Sequence, residues 1–182
     1  MRRIFLALPL AHLFEREISA FLQKCAGISS VKWCVAPQVH VTLHFFGIVP
    51  DTGIQKINGI VGPLAAACHP FEIGLKDVGY FPDRHNPVIV WLGVGGETDA
   101  LEALQMKIEK SLAVAGFACE KRPFRAHATV GRVRKDNQFK AEREGLLFPA
   151  TPVKQTGRIA LYESKQGQAG SIYEIIQTFD FS

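Results

Sequence analysis

Two tripeptides of one form, His40-Val41-Thr42 and His127-Ala128-Thr129, stand 87 residues apart in a chain of 182. With six His and seven Thr, chance would supply about 0.23 such tripeptides, so the repeat calls for a reason. On a strand, successive side chains alternate faces. Each tripeptide therefore sets an imidazole beside a hydroxyl and turns the apolar residue between them toward a core. Two such strands would bring both imidazoles to opposite sides of one small anion. That arrangement suits phosphodiester chemistry without a metal: one imidazole takes a proton from water, and the other gives one to the departing oxygen. Both protonation states of histidine are accessible near neutral pH. The hydroxyls of Thr42 and Thr129 can donate to phosphoryl oxygens, and Arg132 can add charge. Strict alternation groups His44 with His40 and Thr42, and Phe45 with Val41 and Leu43. It also sends Arg132 to the face opposite His127, unless Gly131 breaks the pattern.

The net charge of +4 has an address. Residues 121–143 hold Lys121, Arg122, Arg125, Arg132, Arg134, Lys135, Lys140 and Arg143 against Asp136 and Glu142, a net +6 around the second tripeptide. The remaining 159 residues carry −2. Such a segment draws a polyanion toward the site, although a basic cluster is as readily a solvated face. Cys25, Cys34, Cys68 and Cys119 contain no C-x-x-C pair, and reduced thiols in a cytoplasmic protein are expected. Arg2 and Arg3 precede an apolar run, but the run is short, Pro9 interrupts it, and no cleavage site follows. It reads as an opening buried strand, not a signal sequence. No stretch reaches the ~18 apolar residues of a membrane span.

The elements that must position these residues alternate irregularly. Strands are expected at residues 2–8, 31–35, 39–48, 71–78, 88–94, 126–134, 153–163 and 171–181. Helices are expected at residues 12–26, 51–68 and 97–115. In the last, Leu101, Leu104, Ile108 and Leu112 recur at helical spacing before Gly116. The order is mixed α+β rather than strict βαβ alternation. Each half holds a leading helix and a His-x-Thr strand, a hint of internal duplication.

Several segments together resemble the 2H phosphoesterase superfamily, and within it the RNA 2′,3′-cyclic phosphodiesterases once called 2′-5′ RNA ligases. They are Arg3-Ile-Phe-Leu-Ala-Leu-Pro9, Lys32-Trp33-Cys-Val35, Gln38-Val-His-Val-Thr-Leu-His-Phe-Phe-Gly47, Val88-Ile-Val-Trp-Leu-Gly93, Arg122-Pro-Phe-Arg-Ala-His-Ala-Thr-Val-Gly-Arg132, Leu161-Tyr-Glu-Ser164 and Tyr173. The chain departs from the family pattern around the second motif, with Ala126, Ala128 and Val130 where Pro and Leu-type residues are usual. The resemblance implies one bilobal α+β domain over residues 1–182. Its two pseudo-symmetric lobes would each carry an antiparallel sheet backed by helices, with the site in the groove between them. It implies opening of RNA 2′,3′-cyclic phosphate ends to a 2′-phosphate, without metal or cofactor; a monomer is expected as well. Weak 2′-5′ ligation, with tRNA halves among the RNA partners, belongs to the same expectation. His40 and His127 match the catalytic histidines, His40 protonating O3′ and His127 activating water. Thr42 and Thr129 match the phosphate-binding threonines. Arg132 falls near phosphate or base, Phe5 stacks on a base, and Tyr173 hydrogen-bonds a phosphate. Rival readings are another 2H activity, on 2′-5′ oligoadenylates or a small cyclic nucleotide, and a non-catalytic RNA-end-binding module.

Other residues have plainer readings. His44 lies four residues after His40, but the segment is strand-like and lacks H-E-x-x-H. His44 therefore lines or supports the groove rather than binding zinc. His12, His69 and His85 belong to the surface, Trp33 and Trp91 to the core, and Gly93-Val-Gly-Gly96 to a turn before a helix.

Overall fold

The computed structural model describes residues 1–120, 122–134, 139, 145–167 and 170–182. Nine strands among them form one antiparallel sheet. They are β1 (Arg2–Pro9), β2 (Val31–Trp33), β3 (His40–Val49), β4 (Phe71–Phe81), β5 (Ile89–Gly96), β6 (His127–Val133), β7 (Lys154–Thr156), β8 (Arg158–Gly167) and β9 (Gly170–Asp180). Three helices join them: α1 (Ala11–Cys25), α2 (Asp51–Ala66) and α3 (Thr98–Val114).

The strand order is β7-β4-β5-β6-β3-β1-β8-β9, with the short β2 also on β6. The sheet therefore has two four-stranded halves, β9-β8-β1-β3 and β7-β4-β5-β6. They meet where β3 and β6 pair at Val41 and Ala128, the middle residues of the two His-x-Thr tripeptides. The apolar faces of the helices explain why they lie against the sheet. Phe14, Ile18, Phe21 and Cys25 line α1, and Ile54, Ile57, Val61 and Ala65 line α2. Leu101, Leu104, Ile108 and Leu112 line α3, as their spacing predicts. These faces join Ile4, Leu6, Leu8, Val41, Leu43, Leu92, Ala128 and Val130 in one core. A second, smaller cluster gathers Phe5, Ala7, Ala160 and Tyr162, with Tyr173 packed against it. Strand alternation puts this cluster on the sheet's other face, the face that carries His40.

One expected strand divides. Residues 153–163 read as continuous, but the chain breaks at Gly157. β7 pairs with β4 at one edge, while β8 pairs with β1 in the other half. Trp91 also departs from expectation. It is half-buried on the face of His127 rather than in the core, and its indole covers Gly79 so closely that any side chain there would collide with it.

Candidate active site

The β3–β6 junction builds the site from both tripeptides at once. With Val41 level with Ala128 in an antiparallel pair, His40 falls opposite Thr129 and Thr42 opposite His127. Side chains level with one another on one face of such a ladder have Cβ atoms about 5 Å apart. Each imidazole thus faces the other strand's hydroxyl, and the four groups form a crossed quartet around a pseudo-two-fold axis. Val41 and Ala128, fully buried on the opposite face, anchor it to the core.

Both rings are held by the same device. His40 Nδ1 is 2.7 Å from the Gln38 carbonyl oxygen, and His127 Nδ1 is 2.7 Å from the Arg125 carbonyl oxygen. A carbonyl only accepts, so Nδ1 carries the hydrogen in each ring and Nε2 is the nitrogen left for proton transfer. A turn of 3-10 helix, Ala36–Gln38, presents the first of these carbonyls. Burial pushes the His40 proton affinity down to about 4, and a charge on His127 pushes it further the same way. Burial lowers His127 too.

Aromatic rings fix each imidazole from behind. Phe5 stacks on His40 with centroids 4.8 Å apart, Tyr162 lies 5.6 Å away, and Tyr173 meets it edge-on at 5.3 Å. Across the axis, His127 meets Phe81 edge-on at 4.9 Å and Trp91 at 6.1 Å. Phe5 is only 1% exposed. Its faces are taken by His40 and by Tyr162, the latter 5.0 Å away, so it leaves no open face for a nucleobase. The expectation of a stacking platform at Phe5 gives way to packing beneath the His40 ring.

Matched β-bulges correct the simple alternation. Along β1 and β3, Thr42 pairs with Ala7 and His44 with Leu6, so Leu43 is an extra residue. Along β5 and β6, Thr129 pairs with Trp91 and Gly131 with Val90, so Val130 is the extra one. Each bulge falls one residue after a threonine and reverses the faces beyond it. His44 is therefore buried on the helix side, its Nδ1 2.7 Å from Glu109 of α3, instead of sharing the face of His40. Phe45 turns to the groove, half exposed and stacked 5.9 Å from Phe5, with the Arg3 guanidinium over its ring. Arg132 comes to the face of His127, so Gly131 does mark the break in alternation. A side chain at Gly131 would strike Val31 and Trp33 of β2.

Lys121, Lys135, Lys140 and Arg143 of the basic segment lie outside the described residues. Arg122 pairs with Glu120 at 2.9 Å, whereas Arg125, Arg132 and Arg134 form no ion pair among the described residues. His12, His69 and His85 are exposed, and Trp33 packs edge-on against Phe21. The four cysteines are free thiols. No helix among the described residues is long and apolar enough to cross a membrane. The roles of Tyr162, Phe81 and Phe45 escaped the sequence reading. Tyr162 was within reach of it, since Ala160 and Tyr162 alternate onto one face, but the bulge that exposes Phe45 leaves no compositional mark.

Known proteins are similar to this chain in sequence and in fold. An RNA 2′,3′-cyclic phosphodiesterase of Archaeoglobus fulgidus is 32% identical over 135 residues, 74% of either chain. One of Thermotoga maritima is 28% identical over 182 residues, covering 98% of this chain and 95% of that one. Among solved structures, E. coli LigT complexed with 3′-AMP superposes with a TM-score of 0.80 at 20% identity, over all of this chain and 98% of that one. TT0787 of Thermus thermophilus does so with a TM-score of 0.74 at 21% identity, over 98% and 97%. The sequence profile of the 2′-5′ RNA ligase superfamily matches residues 14–168, and the chain belongs to that superfamily.

Proposed function

We propose that this protein hydrolyses 2′,3′-cyclic phosphate ends of RNA to 2′-phosphates by paired imidazoles. The observation that carries this reading is the crossed quartet, in which two imidazoles held through Nδ1 and two threonines lie level across strands related by a pseudo-two-fold axis. A phosphate seated there receives hydrogen bonds from Thr42 and Thr129. Water attacks phosphorus and loses a proton to one imidazole. The P–O3′ bond breaks, and the other imidazole protonates O3′. One water is consumed, and both rings return to their starting states after one proton exchange with solvent. In the order implied by the family, His40 is the donor. It must then take up its proton together with the substrate, whose anionic phosphate offsets the burial that otherwise keeps the ring neutral. Tyr173, against His40, borders the phosphate, and Arg132 holds negative charge farther along the groove.

The test is turnover of an RNA with a 2′,3′-cyclic end in the presence of EDTA, with the product isomer identified. A 2′-phosphate is expected, and His40→Ala and His127→Ala should each lower turnover by about 10²–10⁴-fold, the usual worth of a positioned acid or base. Loss of activity on chelation, a 3′-phosphate product, or near-normal turnover in either variant would overturn the mechanism.

A further inference from the structure

One pair of side chains beside the quartet has no partner for its charge among the described residues. Lys32 of β2 and Arg132 of β6 are level with each other in the antiparallel ladder. Both are exposed, and neither pairs with a carboxylate among the described residues. Like charges directly opposite on a ladder repel. Here the fold enforces the pairing: β2 is held on β6 by Val31 and Trp33, which pack over Gly131 and allow no side chain there. The bulge after Thr129 turns Arg132, and Lys32 with it, to the face of His127. Lys32 also reaches the opposite half of the sheet. Its ammonium lies against the backbone of Gly170 at the start of β9, where φ is +133° and an added Cβ would run into the lysine. The ammonium thus stands between β2, carried by one half of the sheet, and the β8–β9 hairpin of the other.

We propose that Lys32 and Arg132 together form a second phosphate subsite, which holds the phosphodiester one nucleotide 5′ of the cyclic end. The inference rests on the RNA-end reading above and narrows its substrate class to oligonucleotides. Along β6, Arg132 is about 13 Å from His127 once the bulge is discounted, at ~3.3 Å per residue. That span is between backbones; an arginine or lysine head reaches ~6 Å from its own Cα, so a head extended toward the quartet meets a phosphate about 7 Å from the one held between the imidazoles, the spacing of neighbouring linkages in a strand. A bridging phosphate neutralises the repulsion between the two cations, and in a mononucleotide substrate nothing does.

The experiment compares kcat/KM for a 2′,3′-cyclic mononucleotide and for a dinucleotide bearing the same cyclic end, in wild type, Lys32→Gln and Lys32→Arg. The wild type should favour the dinucleotide by about tenfold or more. Lys32→Gln should lose most of that preference, and Lys32→Arg should keep it. A parallel binding arm uses a 5′-labelled hexanucleotide ending in a 2′-phosphate, followed by fluorescence anisotropy at two salt concentrations. Lys32→Gln should bind it several-fold more weakly and with a shallower salt dependence. No dinucleotide preference in the wild type, or a preference that Lys32→Gln retains, would overturn the subsite. Equal losses on both substrates would do the same. If the wild type turns over neither substrate, the catalytic reading fails, and the anisotropy arm alone decides the subsite: weaker binding by Lys32→Gln upholds it and equal binding refutes it.

Discussion

Replacing Phe5 with alanine separates two roles that an aromatic residue beside an active site could play. The side chain is 1% exposed and lies within 6 Å, centroid to centroid, of His40, Phe45, Tyr162 and Tyr173. Removing a buried phenyl ring typically costs about 3–5 kcal/mol. This ring belongs to the small cluster on the groove face rather than to the main core, where collapse is harder, so the lower end applies, about 3 kcal/mol. For a chain of this size each kcal/mol moves the melting temperature by about 2–4 °C, so Phe5→Ala should melt roughly 6–12 °C lower. Phe5→Leu keeps most of the volume and forfeits mainly the aromatic pairing, about 1 kcal/mol. Catalysis should suffer separately. His40 loses the ring beneath it, and a displacement near 1 Å can cost on the order of 10²-fold. Both readouts come from one protein preparation: thermal melts, then kcat and KM at a temperature where wild type and variant are fully folded. A nucleobase platform would behave otherwise, with KM raised, kcat kept and stability almost unchanged. That last pattern would refute the packing argument.

Two further outcomes follow from the buried imidazoles. The folded proton affinity of His40, near 4, lies below the unfolded value near ~6.5. The unfolded chain binds the extra proton between these values, so stability is full above about 6.5 and falls as pH drops toward 4, with a slope approaching one proton. Denaturant midpoints from pH 4 to 7 should show this slope, and His40→Gln should flatten it; an unchanged slope would remove His40 as its source. Removing His44 leaves the Glu109 carboxylate without its 2.7 Å partner, with Gln105 beside it at 3.3 Å. His44→Ala should cost about 3 kcal/mol, as broken buried pairs do, yet keep turnover within tenfold when folded. A 100-fold loss of turnover at full stability would return His44 to the groove.

Much of the fold was legible because hydrophobic period and stop signals agree. Leu101, Leu104, Ile108 and Leu112 with Gly116 place α3 to within a residue or so at either end. The His-x-Thr tripeptides placed the quartet because the site needs only alternation over three residues, and each bulge begins just after them. Alternation fails at the next step. A bulge is a property of two paired strands, and neither the Leu43 nor the Val130 position differs in composition from an ordinary strand interior. Strict counting therefore puts His44 and Phe45 on the wrong faces, and Arg132 as well unless the break beside Gly131 is allowed for. Residues 153–163 were legible as extended chain but not as two strands, because which neighbour each pairs with is decided far away in sequence, at Phe71 for β7 and at Ala7 for β8.

The bulges also explain how a nearly symmetric site can act on an asymmetric substrate. Two imidazoles and two hydroxyls related by a two-fold axis present the same groups to either side of a phosphate, and so cannot by themselves choose which oxygen departs. Asymmetry enters one step out. Beyond the first bulge, the buried position holds His44 against Glu109 and the groove position holds Phe45. Beyond the second, the buried position must be Gly131, because β2 packs where a side chain would go, and the groove position holds Arg132 with Lys32 beside it. One flank thus presents an aromatic ring capped by Arg3, and the other presents two adjacent cations. An RNA end offers the same contrast, a base on one side of its terminal phosphate and a charged linkage leading away on the other. In the proposed mechanism the quartet supplies reactivity, and the unequal flanks supply the direction in which it is used.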